Sequence, residues 1–354
     1  MARVMIMAGG TGGHVFPALA VAEWLRAHDH HVNWMGSPWG LEARVVPAAG
    51  FTLDKISVRG LRGKGIASLL SAPLMLTRAL WQADRILRER CPQVVLGMGG
   101  FAAGPGGMMA YLRRIPLVIH EQNRVPGTTN RWLAPRAKRV LEGFPDTFAD
   151  GLHPCWTGNP LRLEIERLGP KELLPGPVLR LLILGGSQGA KVLNEVIPKA
   201  LAGMEQRIKV WHQCGVGNRQ ALAAEYHRLG IKAKVTEFIS DMAAAWQWPD
   251  LVICRSGAMT ISELAAAGVP AILVPYPFAV DDHQTRNAEY LVERGAAVLL
   301  PQTLMNVETL RQEITQLTTH PERLRQMGSC ARRAARTDAT ETVASICLEE
   351  ADGA

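Results

Sequence analysis

The sequence predicts an α/β protein of two Rossmann-like domains facing each other across a cleft, and three observations carry that prediction. Short apolar β runs alternate with helical stretches along the whole chain, which is typical of parallel-sheet domains. At 354 residues the chain exceeds the usual length of a single domain. A glycine loop after the first apolar run, residues 9–13, recurs as residues 185–189 with glycines at the same spacing. Glycines let backbone N–H groups approach an anion at a helix start, so two such loops predict two nucleotide-binding halves.

The predicted strands follow the apolar runs in order. We expect first-half strands at 3–8, 31–35, 94–97, 117–120 and 139–142, and second-half strands at 179–184, 209–213, 234–238, 251–254, 271–274 and 297–300. The proline-containing stretch 155–177 predicts a passage between domains. We therefore expect an N-terminal acceptor and membrane-binding domain at 1–161 and a C-terminal donor domain at 162–335. By analogy with two-domain folds of this type, a helix within 336–354 packs back on the first domain.

Composition excludes several protein classes. Six scattered cysteines without a C-x-x-C pair argue against a disulfide framework or a metal site and fit a reducing cytoplasm. Residues 1–161 hold 18 Lys+Arg against 10 Asp+Glu, a net charge of +8, whereas residues 162–354 hold 21 against 22. No basic run is interleaved with aromatic residues, so we predict no nucleic-acid partner. The positive half favours an anionic membrane surface or an acidic substrate.

A basic, apolar segment predicts a membrane-binding patch in the first half. Between residues 65 and 83 the apolar residues cover more than one helix face, whereas a surface helix needs only one. The run is too short to span a bilayer and contains Pro73, so we expect an interfacial patch on anionic lipid. The alternative is a helix buried on two sides. The predicted membrane patch comprises Arg62, Lys64, Ile66, Leu69, Leu70, Leu74, Arg78, Leu80, Trp81 and Arg85.

Polar and glycine-rich segments after the predicted strands indicate binding sites. The segment 255–263 begins a helix whose first N–H groups offer an anion site, and Glu263 can accept hydrogen bonds from a diol such as ribose. Gln284 is interpreted as a hydroxyl-binding amide, and a metal at the neighbouring Asp281-Asp282-His283 is disfavoured. His120-Glu121-Gln122-Asn123 ends a strand where ligands of open α/β sheets bind. A third glycine loop, 97–107, is expected to receive phosphate of a second substrate, and His14 follows the first loop, where a solvent-facing helix residue is the alternative.

These segments together resemble the MurG family of peptidoglycan N-acetylglucosaminyltransferases, which have the two-domain GT-B fold. The matching stretches occur in family order over nearly the whole chain: GGTGGHVFP (9–17), RGLRGKG (59–65), GMGGFAAGPGG (97–107), HEQN (120–123), GNPLR (158–162), GGSQGA (185–190), TEFISDM (236–242) and RSGAMTISE (255–263). Phe101, Ala103 and Met259 replace a tyrosine, a serine and a leucine that are common in the family. The first two put details of the acceptor loop in doubt.

The resemblance implies an inverting, metal-independent hexosyltransferase. It would move N-acetylglucosamine from UDP-GlcNAc to the MurNAc 4-hydroxyl of lipid I, an undecaprenyl-pyrophosphoryl-MurNAc-pentapeptide, giving lipid II and UDP. It would work without a cofactor, as a peripheral enzyme on the cytoplasmic face of the bacterial cell membrane, beside other cell-wall synthesis and division proteins. His14 is the candidate base and Glu121 the second candidate.

The family also assigns binding residues by position. Ile239 would bind uracil through its backbone, Glu263 the ribose, and Ser187 and Arg162 the diphosphate. The implied donor-binding set is Thr11, Gly12, Gly13, Asn123, Arg162, Ser187, Ile239, Ala258, Met259, Thr260, Ile261, Ser262, Glu263 and Gln284. The implied acceptor-pyrophosphate loop comprises Gly99, Gly100, Gly104, Gly106 and Gly107.

Rival functions remain open at this point. A UDP-GlcNAc 2-epimerase needs no acceptor loop and no membrane patch. A UDP-sugar glycosyltransferase acting on diacylglycerol needs both. A non-enzymatic nucleotide-sugar-binding membrane module would keep the donor loops but need no base.

Overall fold

The structure is a computed structural model that describes residues 1–58, 66–169, 171, 178–186, 189–204 and 207–353, with the backbone alone at 66–71. The chain divides into two compact units. Unit 1 comprises Met1–Arg162 with Thr337–Ala354, and unit 2 comprises Leu163–Arg336.

Unit 1 alternates strands and helices. Its strands are β1 (Arg3–Met7), β2 (His31–Gly36), β3 (Thr52–Lys55), β4 (Val94–Gly97), β5 (Leu117–Glu121), β6 (Arg139–Glu142) and β7 (Cys155–Trp156). Its first helices are α1 (Gly12–Ala27), α2 (Glu42–Ala48), α3 (Ile66–Arg90), α4 (Ala103–Leu112) and α5 (Thr128–Leu133), with 3₁₀ turns at Ala134–Arg136 and Asp150–Leu152.

Unit 2 repeats this alternation. Its strands are β8 (Leu179–Leu184), β9 (Ile208–Gln213), β10 (Ala233–Thr236), β11 (Leu251–Cys254), β12 (Ala271–Leu273) and β13 (Ala297–Leu299). Its helices are α6 (Leu163–Glu166), α7 (Lys191–Leu201), α8 (Arg219–Arg228), α9 (Met242–Gln247), α10 (Ala258–Ala267), α11 (His283–Val292), α12 (Val307–Thr319) and α13 (Pro321–Ala334), with a 3₁₀ turn at Val280–Asp282. The last helix, α14 (Ala339–Asp352), belongs to unit 1.

Both units contain one wholly parallel sheet with the same central strand order. The order is β3-β2-β1-β4-β5-β6-β7 in unit 1 and β10-β9-β8-β11-β12-β13 in unit 2. Every strand predicted from the sequence is present, whereas β3 and β7 were not predicted. The strand predicted at 234–238 ends earlier, at Thr236, and Phe238 lies exposed beyond it.

The strand order of each sheet reverses between its first and fourth strands, where ligands bind in open α/β sheets. In unit 1 this point lies between β1 and β4, and Met7 pairs with Gly97 at their carboxyl ends. In unit 2 it lies between β8 and β11, and Leu184 pairs with Cys254. Glycine loops follow β1, β4 and β8, and the segment 255–257 follows β11. All four predicted anion-binding segments therefore begin at a switch point.

Apolar residues cover both faces of the unit 1 sheet. On one face, Val343 and Cys347 of α14 and Val15 of α1 pack against β1 and β4 in a shared core. On the other face, Met7 and Met35 pack with residues of α3 and α4. The helix α14 is thus a structural part of unit 1. No helix in the described parts of the chain is both long enough and apolar enough to cross a bilayer.

Candidate active site

A buried carboxylate forms a hydrogen bond to the first glycine loop. Glu42 is 1% exposed, and its Oε2 accepts a hydrogen bond of 2.9 Å from the Gly10 N–H while its Oε1 accepts one of 3.0 Å from the Ser37 N–H. Gly10 has φ +91°, a left-handed conformation that favours glycine. Glu42 was missed by the sequence analysis because its partner Gly10 lies 32 positions away and no local pattern links the two.

The imidazole of His14 lies at the start of α1, between the first and third glycine loops. Its Nδ1 is 3.3 Å from the Gly9 carbonyl oxygen and 3.5 Å from Thr11 Oγ1. A Cβ on Gly99 would lie 3.1 Å from His14 Nε2, a tight contact, and Gly99 has φ +88°, so glycine is favoured beside the ring. An Nδ1–H that donates to the Gly9 carbonyl would make Nε2 the basic nitrogen. The histidine is therefore half-buried beside both loops.

The third glycine loop is shorter than the sequence predicted. Gly99 and Gly100 form the turn, with φ +88° and +86°, and a Cβ on Gly100 would lie 2.3 Å from the Gly9 carbonyl oxygen. The remaining predicted loop glycines, Gly104, Gly106 and Gly107, lie inside α4. Gly106 and Gly107 are buried, and a Cβ on them would clash with the side chains of Met7 and Leu133. The prediction of one continuous loop is wrong here, because these two glycines permit close packing of α4.

The polar group that ends β5 points mostly into the protein. His120 and Gln122 are both 0% exposed, and burial lowers the pKa of His120 to about 4. His120 Nε2 lies 2.9 Å from the Gly158 carbonyl oxygen, and Gln122 Nε2 donates to His120 Nδ1 over 3.1 Å. The expectation that all four residues face a ligand is wrong for these two, since both side chains are fully buried and bond to the fold through His120 Nε2 and Gln122 Nε2. Asn123, in contrast, is only half-buried.

Both oxygens of the Glu121 carboxylate accept hydrogen bonds within the fold. Oε1 accepts from the backbone N–H and the side-chain amide of Asn123, over 3.0 and 3.1 Å. Oε2 accepts from the Gly127 N–H and from Asn130 Nδ2, over 3.0 and 2.9 Å. With four donors and 2% exposure, Glu121 anchors the segment 123–130. This geometry favours His14 over Glu121 for proton transfer.

The segment after β11 opens α10 as expected. Gly257 is the N-cap residue of α10 with extended backbone, and Ala258 to Ser262 form the first turns of the helix. Arg255 donates to the carbonyl oxygens of Val274 and Pro275 and, over 2.6 Å, to Gln302 Oε1. Arg255 therefore ties the start of α10 to the loop after β12.

Two other predicted donor residues of unit 2 are also held by hydrogen bonds. Glu263 Oε2 accepts from the indole N–H of Trp246 over 3.0 Å. Gln284 Oε1 accepts from the Tyr276 N–H over 2.9 Å, so one end of this amide is already engaged by the fold. Ile239 is 6% exposed and follows β10. Ser187 lies outside the described residues.

Arg162, the predicted diphosphate ligand, belongs to unit 1. Its guanidinium carbon lies 5.9 Å from the centre of the Phe16 ring on α1, within the range of a cation–π contact. A Cβ on Gly12 would lie 2.9 Å from the same ring. Phe16 thus packs over the first glycine loop on one side and contacts Arg162 on the other.

No potential metal cluster, defined as three or more His, Cys, Asp or Glu side chains, occurs among the residues that the structure describes. At Asp281-Asp282-His283, both aspartates adopt left-handed backbone, with φ +52° and +49°. Asp282 accepts from Thr285 Oγ1 over 2.7 Å, and His283 Nδ1 lies 2.7 Å from the Val280 carbonyl oxygen. These contacts give the aspartates and the histidine local structural roles.

The described part of the predicted membrane patch is exposed. Leu74 is 77% and Trp81 is 63% exposed, Arg78 and Arg85 face solvent, and Leu80 is half-buried. Arg62 and Lys64 lie outside the described residues, as do the side chains of Ile66, Leu69 and Leu70.

A second exposed apolar region, missed by the sequence analysis, adjoins this helix. Tyr111 and Leu112 at the end of α4 are 48% and 62% exposed. The α4 end is tied to α3 by Arg113, whose Nε donates to Asp84 over 2.5 Å. Only the last two residues of α4 are exposed, so the sequence shows no periodic apolar pattern that indicates them.

Two parallel-sheet units with glycine turns and a helix start at their switch points have the architecture of two-domain nucleotide-sugar glycosyltransferases. The sequence matches the glycosyltransferase family 28 N-terminal domain over residues 4–142 and its C-terminal domain over residues 180–343. The chain therefore belongs to glycosyltransferase family 28 and, within it, to the MurG family.

Curated relatives and a solved structure support the family over its whole length. A protein of Stutzerimonas stutzeri (strain A1501) is 54% identical, and one of Methylococcus capsulatus (strain ATCC 33009 / NCIMB 11132 / Bath) is 56% identical, each over 99% of both chains. Both are named UDP-N-acetylglucosamine–N-acetylmuramyl-(pentapeptide) pyrophosphoryl-undecaprenol N-acetylglucosamine transferase. The crystal structure of Acinetobacter baumannii MurG is 40% identical, with a TM-score of 0.85, and the match covers 99% of this chain and 100% of that one.

Proposed function

We propose that this chain transfers N-acetylglucosamine from UDP-GlcNAc to the MurNAc 4-hydroxyl of lipid I, forming lipid II and UDP in peptidoglycan synthesis. The observation that carries the proposal is the 54% identity, across 99% of both chains, to a relative named for this transfer. The relatives do not favour the diacylglycerol transferase or the non-enzymatic binding module. The glycine turns and the partly enclosed histidine of unit 1 support catalysis rather than binding alone.

Unit 2 supplies most of the donor site in this proposal. The backbone of Ile239 binds uracil, Glu263 holds the ribose hydroxyls, and the first N–H groups of α10 bind the diphosphate. Gln284 and Asn123 bind hydroxyls of the transferred sugar. As the glycosidic bond breaks, negative charge grows on the departing UDP. The positive end of α10 and the guanidinium of Arg162 stabilise that charge.

Unit 1 supplies the base. Inverting transfer requires removal of a proton from the acceptor hydroxyl as it attacks the anomeric carbon. His14 suits this role because its Nδ1 can donate to the Gly9 carbonyl, which makes Nε2 the proton acceptor. The Gly99–Gly100 turn beside the ring brings backbone close to this nitrogen, where the acceptor pyrophosphate and sugar bind.

The membrane patch docks the enzyme on the cytoplasmic face of the bacterial cell membrane. Lipid I has a polyprenyl tail that stays in the bilayer, so the acceptor must be reached at the membrane surface. Exposed Leu74 and Trp81 insert among headgroups, while Arg78 and Arg85 attract anionic lipid. Other cell-wall synthesis and division proteins are the expected neighbours there.

The test is transfer of radiolabel from UDP-GlcNAc to a lipid I analogue by the purified full chain, with EDTA present. Label in the lipid product, with a β-1,4 linkage, supports the proposal and its metal independence together. Label in diacylglycerol but not in the lipid I analogue would contradict the acceptor assignment. UDP-GlcNAc binding without transfer to either acceptor would instead support the non-enzymatic module.

A further inference from the structure

A buried tryptophan holds the carboxylate of Glu263, the proposed ribose ligand. Trp246 of α9 is 0% exposed, and its indole N–H donates to Glu263 Oε2 over 3.0 Å. Glu263 lies in the second turn of α10 and is half-buried. The hydrogen bond therefore links a fixed core residue to a side chain that reaches the surface of unit 2.

The bond restricts the rotation of a flexible side chain. Glutamate has three side-chain torsions, whereas the indole has two and is packed on all sides. An indole N–H in a buried site needs an acceptor, and the carboxylate provides one. Trp246 thus sets the orientation of the carboxylate before any ligand binds, which lowers the ordering cost of binding.

The same helix also fixes the neighbouring segment. Asp241 caps α9 by accepting a hydrogen bond of 2.9 Å from the Ala244 N–H. Ile239, whose backbone is proposed to bind uracil, precedes this cap by two residues and is buried. One short helix therefore connects the proposed uracil segment with the proposed ribose ligand.

We propose that Trp246 is a positioning residue that makes the donor site select ribose over 2′-deoxyribose. This inference rests on the proposed function, because it assumes that Glu263 binds the ribose hydroxyls. A carboxylate held in one orientation accepts hydrogen bonds from the diol, and a sugar that lacks the 2′-hydroxyl loses one of them. Without the indole N–H, the carboxylate loses a contact that orients it, and the distinction between the two sugars decreases.

The experiment compares the affinities of UDP and 2′-deoxy-UDP for the full chain by calorimetry, without acceptor. Wild-type protein should prefer UDP by about tenfold to a hundredfold, the range given by a hydrogen bond to a charged group. Trp246→Phe should reduce the preference to about threefold or less, because UDP binding weakens more than the binding of 2′-deoxy-UDP, which has only the 3′-hydroxyl bond to lose. Trp248→Phe is the matched control, because Trp248 packs edge-on against Trp211, with ring centres 5.8 Å apart. It should keep the wild-type preference.

If Trp246→Phe lowered the affinities for both nucleotides equally, the inference would be overturned, because the tryptophan would then have a purely structural role. If Trp246→Phe does not fold, 3-benzothienylalanine at position 246 replaces the N–H with sulfur at nearly constant volume and should give the same loss of preference. In a Glu263→Ala background, which has no acceptor for the indole N–H, Trp246→Phe should leave the remaining preference unchanged. Failure of wild-type protein to bind UDP would contradict the proposed function instead, so the two failures are distinguishable.

Discussion

Replacing Glu42 by glutamine should loosen the first glycine loop and slow transfer. The carboxylate accepts from two backbone N–H groups, at Gly10 and Ser37, with one oxygen for each. Glutamine keeps one acceptor oxygen and introduces an amide NH₂, which only donates. The bond to Ser37 is fully buried and the bond to Gly10 is partly exposed. The oxygen of glutamine should therefore turn to Ser37, leaving Gly10 opposite a second donor.

The expected cost in stability is small and the expected cost in catalysis is larger. Losing the partly exposed bond costs about 1 kcal/mol, the lower end of the range for an unmade hydrogen bond. For a unit of this size that lowers the melting temperature by about 2–4 °C. The loop also carries His14, and a displacement of about 1 Å at a catalytic group can cost about 100-fold in rate. We expect kcat to fall about 10- to 100-fold.

The assay pairs thermal denaturation with steady-state transfer from UDP-GlcNAc to a lipid I analogue. Glu89→Gln is the matched control, because Glu89 is exposed and forms a surface ion pair with Arg85 over 2.6 Å. It should change the melting temperature by less than about 1 °C, as exposed ion pairs contribute little. For Glu42→Gln, a lower melting temperature with unchanged kcat would show that Glu42 supports the fold without positioning the loop. Wild-type values of both the melting temperature and kcat would refute the reasoning entirely.

Four further outcomes follow from the structure. His14→Ala should lower kcat about 100-fold with UDP affinity nearly unchanged. His31 is an exposed histidine on β2, and His31→Ala should change neither quantity. An equal loss of UDP affinity in His14→Ala would make His14 a donor ligand. Leu74→Ala should weaken binding to anionic vesicles, and high salt should weaken it further, whereas Leu163→Ala, 52% exposed in unit 2, should have no effect on sedimentation with vesicles. Gly100→Ala should abolish activity or folding because its Cβ would lie 2.3 Å from the Gly9 carbonyl oxygen, while Gly151→Ala, with no atom within 4 Å, should be neutral in the same assays. Burial lowers the pKa of His120 to about 4 and of His212 to about 3, so the unfolded chain binds more protons than the folded chain below pH 6.5. Each histidine should therefore cost up to about 1.4 kcal/mol of stability per pH unit as the pH falls from 6.5 towards 4. Denaturation midpoints that do not change from pH 7 to 5 would contradict this.

The strands of the two sheets could be predicted because central parallel strands are buried on both faces. Such strands appear in the sequence as continuous apolar runs, as in β1 and β8. The strands that escaped prediction lie at the edge of the unit 1 sheet. β3 is Thr-Leu-Asp-Lys and β7 has two residues, so neither has the apolar run of a central strand. Tertiary pairing, rather than local pattern, forms both.

The site was predictable where chemistry depends on local sequence and unpredictable where it depends on distant partners. Glycines after strands indicated the turns at Gly10 and Gly100, since left-handed backbone is encoded in the residue type. The polar run at 120–123 looked like a ligand-binding group, yet His120 bonds to Gly158, 38 positions away. The link between Trp246 and Glu263 spans 17 positions and two helices. No periodic pattern in the sequence indicates such contacts.

The two repeated glycine loops are supported by different chemistry, and that difference separates their roles. In unit 1 the Gly10 N–H donates to the Glu42 carboxylate, so this group is engaged and a negative charge lies beside it. In unit 2 the corresponding Gly186 has nearly the same backbone, φ +81°, but its carbonyl accepts from the neutral amide of Gln213 over 3.0 Å. A negative charge beside the Gly10 N–H disfavours a phosphate at that group, whereas the neutral amide at Gly186 does not. The turn in unit 2 is therefore compatible with the proposed nucleotide site. The turn in unit 1 is suited to holding His14, and the proposed acceptor pyrophosphate binds at the Gly99–Gly100 turn instead.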